Sequence, residues 1–146
     1  MQNQDYTTTI LVPTNEAHAF QQINDVTKWW THNLKGASYQ LFDEFTVYFG
    51  DVHISTQKII ELIPNKKIVW EVISSQINFV DNKQEWNNTK IIFELTEIND
   101  KTSIQFTHQG LIPAIACYKD CSNAWKDYIE NSLFNLISNG KGNPTV

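Results

Sequence analysis

PAIACYKDCSNAWKDYIENSLFNLISNG, residues 113–140, is the stretch that decides the fold. Proline is favoured near the start of a helix and glycine just after its end, so Pro113 and Gly140 predict one helix between them. Such a helix is about 39 Å long, enough to cross a whole sheet. Its apolar and small residues recur at the i, i+3, i+4, i+7 spacing of a single buried face: Cys117, Cys121, Ala124, Trp125, Tyr128, Ile129, Ser132, Leu133, Leu136 and Ile137.

The residues before this helix predict mainly β-structure. Tyr6–Val12 is rich in β-branched residues, and from about Leu41 the hydrophobic period changes from 3.6 to 2. Short turns between strands, such as Asn99-Asp100, favour antiparallel neighbours. Strands are predicted over residues 6–12, 45–49, 53–62, 67–77, 89–98 and 101–108.

Two short helices are predicted between the first strand and the rest of the sheet. Pro13 and Thr14 open the first, with Thr14 as its cap and Ala17, Phe20 and Ile23 on one face. The second covers residues 26–30, and a loop follows through residue 36. The chain is therefore predicted to be an α+β domain in which the long helix covers one face of an antiparallel sheet of about six strands.

Length, charge and cysteine content restrict the class of protein. A chain of 146 residues fits a single domain, residues 1–146. A net charge of −5 without any basic run argues against a nucleic-acid or anionic-membrane binder. No apolar stretch reaches the ~20 residues of a membrane span. The polar N-terminus lacks the apolar core of a signal peptide. Cys117 and Cys121, four apart on one helix face, are poorly placed for a bridge and are expected to be reduced, which favours the cytoplasm.

Alternation along the strands predicts which side chains face the helix. For residues 53–62 two alternatives stay open, since one face carries His53, Ser55 and Gln57 and the other Val52, Ile54 and Ile60. The inward set on the remaining strands is Phe45, Val47, Phe49, Ile68, Trp70, Val72, Ile91, Phe93, Leu95, Ile104, Phe106 and His108.

His108 is the most interesting of the inward residues. It is either a polar group in an apolar chamber, able to orient a ligand or move a proton, or a structural histidine whose ring bonds the backbone. We favour the structural interpretation, and more strongly so for His53; His18 and His32 are expected at the surface. The sequence contains no His-x-His, Cys-x-x-Cys, His-Glu-x-x-His, Gly-x-Ser-x-Gly or phosphate-loop motif, so neither a metal nor a cofactor is expected.

Aromatic residues allow two interpretations as well. They either line a pocket for an apolar or ring-shaped ligand or fill an ordinary core. Trp86 lies in a polar connection, where packing alone explains an aromatic less easily. The set is Trp29, Trp30, Trp70, Trp86, Tyr118 and Trp125.

Several local patterns, in this order, resemble the START-like (SRPBCC) helix-grip family. The resemblance is greatest to its bacterial branch related to the heat-shock-protein-90 ATPase activator, and it covers nearly the whole chain. The matching residues are Ala17, Phe20, Trp29-Trp30, residues 63–70 (IPNKKIVW), residues 89–95, Thr107-His108-Gln109-Gly110, Trp125, Tyr128, Leu133 and Gly140.

The resemblance implies a Bet v 1-like fold, in which a curved antiparallel sheet wraps around the C-terminal helix and encloses a cavity. Family members bind lipids, sterols, polyketides and other apolar molecules, and some catalyse cyclisation or hydrolysis. We therefore expect a binder of a small apolar or aromatic molecule, which requires a cavity of about 300 Å³ or more. The expected ligand-binding residues are Trp30, Phe49, His53, Trp70, Trp86, Phe93, Phe106, His108, Cys117, Tyr118, Cys121 and Trp125.

Two other functions stay open at this point. One is an enzyme of the cyclase or hydrolase kind with His108 as its acid–base group, although a single histidine is a thin catalytic apparatus. The other is a co-chaperone-like protein-interaction module, by analogy with the chaperone activator. A homodimer is also plausible, since exposed tryptophans often mark contacts.

Overall fold

A computed structural model describes residues 4–145; residues 1–3 and 146 of the predicted domain lie outside the described residues. The described part forms one antiparallel sheet in the order β1-β7-β6-β5-β4-β3-β2. Its strands are β1 (Tyr6–Val12), β2 (Leu34–Gly36), β3 (Glu44–Phe49), β4 (His53–Ile63), β5 (Lys67–Ile77), β6 (Lys90–Ile98) and β7 (Lys101–Gln109). The sheet thus has seven strands rather than about six. The additional strand, β2, falls in a predicted loop because three residues are too few to show a periodic pattern.

Two short helical segments follow β1, as predicted, with small differences. Helix α1 is Glu16–Asn24, and its cap is Asn15 rather than Thr14, because the Asn15 side chain accepts a hydrogen bond from the backbone N–H of His18 at 2.8 Å. Ala17 is exposed, whereas Ala19 and Ile23 are buried. The second segment is a single 3₁₀ turn, Val26–Lys28, shorter than residues 26–30.

The C-terminal helix, α2, covers residues 118–139 and is about 33 Å long. It starts later than predicted because residues 113–117 form turns, in which the N–H of Ile115 bonds the carbonyl of Ile112. Its parts are an α-helix, Tyr118–Asp127, a π-helical segment, Tyr128–Leu133, and a last α-helical segment, Phe134–Asn139. Gly140 ends it with a φ of 85°, as predicted.

The predicted alternation is confirmed on β6 and β7, and on β5 the predicted inward residues are buried but Val69, predicted outward, is buried too. The structure also decides between the two faces of β4. His53, Ser55 and Gln57 point inward and are buried. The reason is the register with β3, which places Val47 opposite Ser55 and Phe45 opposite Gln57. Because residues directly opposite each other share a face of the sheet, the buried β3 side chains bring the polar β4 side chains inward with them.

The core between sheet and helix is rich in tryptophan. Trp29, Trp30 and Trp70 stack on one another with ring centroids 5.9 to 6.4 Å apart, and all three are essentially buried. Thr145 lies beside this tryptophan cluster, where its N–H donates to the carbonyl of Trp30 at 3.0 Å. The aromatic core continues without a break into a cavity at the N-terminal half of α2.

Candidate ligand-binding site

A cavity of about 230 Å³ lies between the sheet and the N-terminal half of α2. It is bounded by residues from the segment after α1, the β3–β4 hairpin, the β5–β6 connection and the helix. Its lining residues are Trp30, Phe49, His53, Phe79, Trp86, Asp120, Cys121, Ala124, Trp125 and Tyr128. The cavity thus lies at the N-terminal half of α2, which is the half that carries the aromatic and thiol residues of the helix.

Five aromatic side chains form a closed circuit around this cavity, and we call them the aromatic frame: Trp30, Phe49, His53, Trp86 and Trp125. Each ring contacts the next, with centroid distances of 5.8, 5.1, 4.5, 6.0 and 4.8 Å around the circuit. The frame residues come from four separate parts of the chain, so the cavity exists only in the folded protein. Aromatic rings held in this way present flat, weakly polar surfaces that suit another ring.

The mouth of the cavity lies between the β5–β6 connection and α2. Phe79 is 44% exposed, and Asp120 and Ala124 on the facing helix are also exposed. A molecule entering here passes between one aromatic ring and the first turns of the helix. Deeper in the cavity, Trp86 and Trp125 are both nearly completely buried.

Trp86 is held in place by bonds from its own connection to the rest of the fold. The carboxylate of Glu85 accepts the backbone N–H groups of Ala116 and Cys117, at 2.8 and 3.1 Å, just before α2 begins. The hydroxyl of Thr89 donates to the carbonyl of Trp86 at 2.6 Å. These contacts explain why a tryptophan in a polar connection is only 3% exposed.

His53 ends a row of polar side chains on the inner face of β4. The Gln57 amide N–H donates to the Ser55 hydroxyl at 2.6 Å, and that hydroxyl is 2.9 Å from Nε2 of His53. The Ser55 hydroxyl has no other acceptor for its proton among residues 4–145, so we assign that proton to Nε2 of His53, which leaves the ring proton on Nδ1. Burial lowers the pKa of His53 to about 4, so the ring is neutral at physiological pH.

His108 lies behind the aromatic frame and is completely buried. Nε2 is 2.8 Å from the hydroxyl of Thr89, and Nδ1 accepts the indole N–H of Trp125 at 3.0 Å. Because the Thr89 hydroxyl donates its proton to the Trp86 carbonyl, it can only accept from His108. His108 therefore donates through Nε2 and accepts through Nδ1. Burial, with a smaller contribution from His53, lowers the pKa of His108 to about 3. Both ring nitrogens are thus occupied by fixed partners, and the ring is uncharged.

Gly110 allows Thr89 to approach the strand end that carries His108. It has a φ of +101°, and a Cβ there would lie 2.6 Å from Cγ2 of Thr89. We expect Gly110→Ala to lower the free energy of unfolding by about 2–3 kcal/mol, because it adds this collision to the strain of a left-handed backbone. Urea denaturation measures the change.

Gly140→Ala is the matched control for that substitution. Gly140 also has a positive φ, +85°, but nothing lies within 4 Å of the Cβ that an alanine would add there. It should lose only the backbone strain, about 1 kcal/mol. Equal losses in the two variants would show that the contact with Thr89 has no energetic weight.

The structure divides the residues predicted for ligand binding into two groups. Trp30, Phe49, His53, Trp86, Cys121 and Trp125 line the cavity. Trp70, Phe93, Phe106, His108 and Cys117 are completely buried and lie outside the cavity wall, and Tyr118 is half-buried against the core. Strand alternation predicts burial, but it does not separate a side chain that reaches a cavity from one that packs behind it.

Sequence reasoning missed four lining residues: Phe79, Asp120, Ala124 and Tyr128. Ala124 and Tyr128 belong to the predicted helix stripe, and they lie three and seven residues after Cys121, so helical spacing was a usable signal. Asp120 precedes Cys121 at the edge of that stripe. Phe79 has no comparable signal, because its position depends on the path of the β5–β6 connection.

The family model described as Activator of Hsp90 ATPase homolog 1-like protein matches residues 18–137. A comparison with curated proteins gave no match. The sequence resemblance and the family model therefore agree on the same superfamily.

Solved structures show the same fold. The Aha1 dimer from Colwellia psychrerythraea is 22% identical, with a TM-score of 0.77 over 95% of this chain and 99% of that one. DynU16, from the dynemicin biosynthetic locus, is 16% identical with a TM-score of 0.71, and the match covers 94% of this chain but 48% of that one. CalU16 from Micromonospora echinospora is 11% identical with a TM-score of 0.66, over 94% and 75% of the two chains. At these identities the likeness establishes the helix-grip fold.

Two other kinds of feature are lacking among residues 4–145. No helix in that range has the length and apolar character needed to cross a membrane. No cluster of three or more His, Cys, Asp and Glu side chains there is arranged to hold a metal ion.

Proposed function

We propose that this chain, which belongs to the Activator of Hsp90 ATPase homolog 1-like family, binds a small aromatic molecule with a hydrogen-bond acceptor. The observation that carries the proposal is the cavity enclosed by the aromatic frame, with the edge of His53 in its wall. An apolar pocket with a few convergent polar groups is the usual form of a small-molecule site.

The size of the cavity restricts the ligand. A volume of about 230 Å³ is below the 300 Å³ that we expected from pockets for drug-sized molecules. An apolar protein cavity of about 150 Å³ is nevertheless large enough for benzene. The proposed ligand is therefore a molecule of one or two rings, and a sterol or long-chain lipid would need the mouth to open further.

The polar part of the proposal rests on His53. Its Nε2 is taken by Ser55, while no hydrogen bond joins its Nδ1 to another group of residues 4–145. The Nδ1 proton is thus available to an acceptor on a molecule inside the cavity, such as a carbonyl oxygen. A neutral donor in an apolar wall favours an uncharged ligand, because a bound charge would have little compensation there.

A matched pair of ligands tests this assignment. We expect acetophenone to bind about 3–10-fold more tightly than isopropylbenzene, which has a methyl group in place of the oxygen, because one neutral hydrogen bond contributes about 0.5–1.5 kcal/mol. His53→Phe should remove this preference while both compounds still bind. Isothermal titration calorimetry measures the affinities.

His32→Phe is the control, because His32 is exposed and outside the cavity. It should keep the preference of the unchanged protein. If the two compounds bind the unchanged protein equally well, or if His53→Phe keeps the preference, the role of His53 is wrong. If neither compound binds, the ligand class itself is wrong.

The alternative of an enzyme that uses His108 gains no support from this geometry. A general acid or base needs a ring nitrogen within reach of the substrate. Both nitrogens of His108 are bonded to Thr89 and Trp125, and the side chain does not line the cavity. The structure favours the interpretation of His108 as a structural residue, although its partners are side chains rather than a backbone carbonyl.

A protein-interaction role is the second candidate, favoured by one exposed segment. Tyr39, Leu41 and Phe42 precede β3 and are 55%, 45% and 62% exposed. A pull-down with this chain as bait tests whether it binds the host's chaperone. If no chaperone is recovered, the co-chaperone hypothesis is wrong.

Homodimerisation, by analogy with the Colwellia dimer, is a separate proposal, which light scattering coupled to size-exclusion chromatography tests.

A further inference from the structure

The two cysteines meet at the start of α2, next to the cavity. Their sulfur atoms are 2.6 Å apart. Cys117 is completely buried, whereas Cys121 is 6% exposed and forms part of the cavity wall. The pair is therefore one buried dithiol with one sulfur reachable from the cavity.

Local backbone geometry explains why this pair is close. On a regular helix, residues four apart have Cβ atoms about 5–6 Å apart, wider than the 3.5–4.5 Å of a disulfide. Cys117, however, is the residue before the helix, and its φ of −83° and ψ of 1° depart from helical values although its carbonyl accepts the N–H of Cys121 at 2.7 Å. Both cysteines are free thiols in the structure, but their sulfurs are in contact at the helix start.

The contact between the two sulfurs makes them unequal acids, and burial opposes the charged form of both. The thiol of Cys121 donates to the sulfur of Cys117, and this hydrogen bond lowers the pKa of Cys117 and raises that of Cys121. The indole of Trp86 favours the charged form of both sulfurs, and the Glu85 carboxylate opposes it. The first deprotonation belongs to the pair, and the hydrogen bond places the resulting charge on the Cys117 sulfur.

We propose that Cys117 and Cys121 form a reversible disulfide on reaction with hydrogen peroxide or a small organic hydroperoxide that enters the cavity. The Cys121 sulfur at the cavity wall attacks the terminal peroxide oxygen while its proton passes to the Cys117 sulfur. The O–O bond breaks, and the hydroxide or alkoxide that leaves takes up a proton to become water or an alcohol. The resulting sulfenic acid is attacked by the second sulfur, which forms the S–S bond and releases water. The two thiols lose two electrons and two protons in total, and the peroxide is reduced.

This site is independent of the proposed ligand. It requires two sulfurs in contact and an entry path for a molecule of peroxide size, and both are present in the protein without a bound aromatic compound. A dithiol of this kind stops at the disulfide, because the second sulfur consumes the sulfenic acid before a further oxidant reaches it. An isolated thiol has no such protection.

Mass spectrometry of the full chain tests the proposal. The reduced protein is freed of reductant, treated with a small excess of hydrogen peroxide, and unfolded under acid conditions for mass measurement and thiol counting. We expect a monomer that has lost two hydrogens, a fall from two free thiols to none, and recovery of both by dithiothreitol. A peptide map should contain residues 117 and 121 in one cross-linked product.

Single-cysteine variants give the complementary result. Cys117→Ser should gain oxygen, and its remaining Cys121 sulfur should be trapped by dimedone as the sulfenic acid, whereas Cys121→Ser keeps only the completely buried Cys117 and should react more slowly. The unchanged protein is decisive even if a variant fails to fold. Two thiols left after peroxide treatment, or products that gain oxygen without losing two hydrogens, would overturn the proposal, and so would disulfides between chains.

Discussion

Lowering the pH from 7 to 5 is expected to reduce the free energy of unfolding by about 4 kcal/mol, because two buried histidines stay neutral in the folded protein. Burial lowers the pKa of His53 to about 4 and that of His108 to about 3, from an ordinary value of 6.5. Below pH 6.5 the unfolded chain takes up protons that the folded chain does not. Each pH unit then costs about 1.4 kcal/mol per histidine, a large share of a typical total stability of about 5–15 kcal/mol.

The stabilisation is thus fully present above pH 6.5 and is lost as the pH falls toward 4 and then 3. Urea denaturation at several pH values between 7 and 5 measures it. His108→Gln keeps a donor and an acceptor but does not titrate, so it should reduce the slope by about half. His18→Gln, at an exposed position, should leave the slope unchanged. A flat profile, or an unchanged slope in His108→Gln, would contradict the neutral state assigned to His108.

Filling the cavity is expected to abolish ligand binding without harm to the fold. Ala124 lines the cavity but is exposed at its mouth. In Ala124→Trp the new indole should occupy the space between Phe79 and Trp125. We expect at least a 100-fold loss of affinity for acetophenone, equivalent to about 2.7 kcal/mol. The free energy of unfolding should change by no more than about 0.5 kcal/mol, as is usual for an exposed position.

Lys126→Trp is the matched control for this substitution. Lys126 lies on the same helix, is exposed, and does not line the cavity. Calorimetric titration of both variants with acetophenone separates loss of the cavity from a general effect of an added indole. Equal affinity in Ala124→Trp and the unchanged protein would place the binding site elsewhere, and an equal loss in Lys126→Trp would make the effect nonspecific.

Most of the fold is predictable from the sequence because its elements have strong periodic signals. The stripe on α2, the alternation on β7 and the glycine at residue 140 each specify an element with a clear physical reason. The errors fall where the signal is short or local. Three residues of β2 show no period, and residues 113–117 begin with proline and carry small residues but fold into turns.

The candidate site is less predictable, because it depends on contacts between distant segments. The inward direction of His53 follows from its pairing opposite Phe49. This register can be predicted from the sequence once both strands and the turn between them are assigned. The burial of Trp86 cannot be predicted in that way. It results from the bonds of Glu85 to Ala116 and Cys117 and of Thr89 to His108, which lie far along the chain.

The central claim is that the aromatic frame encloses a site for a small aromatic molecule, and a crystal structure of the protein soaked with acetophenone tests it most directly. The account predicts density for one ring inside the cavity and against Trp125, with the carbonyl oxygen within hydrogen-bond distance of Nδ1 of His53. An empty cavity in crystals that contain saturating acetophenone, or the compound bound elsewhere on the molecule, would contradict the claim.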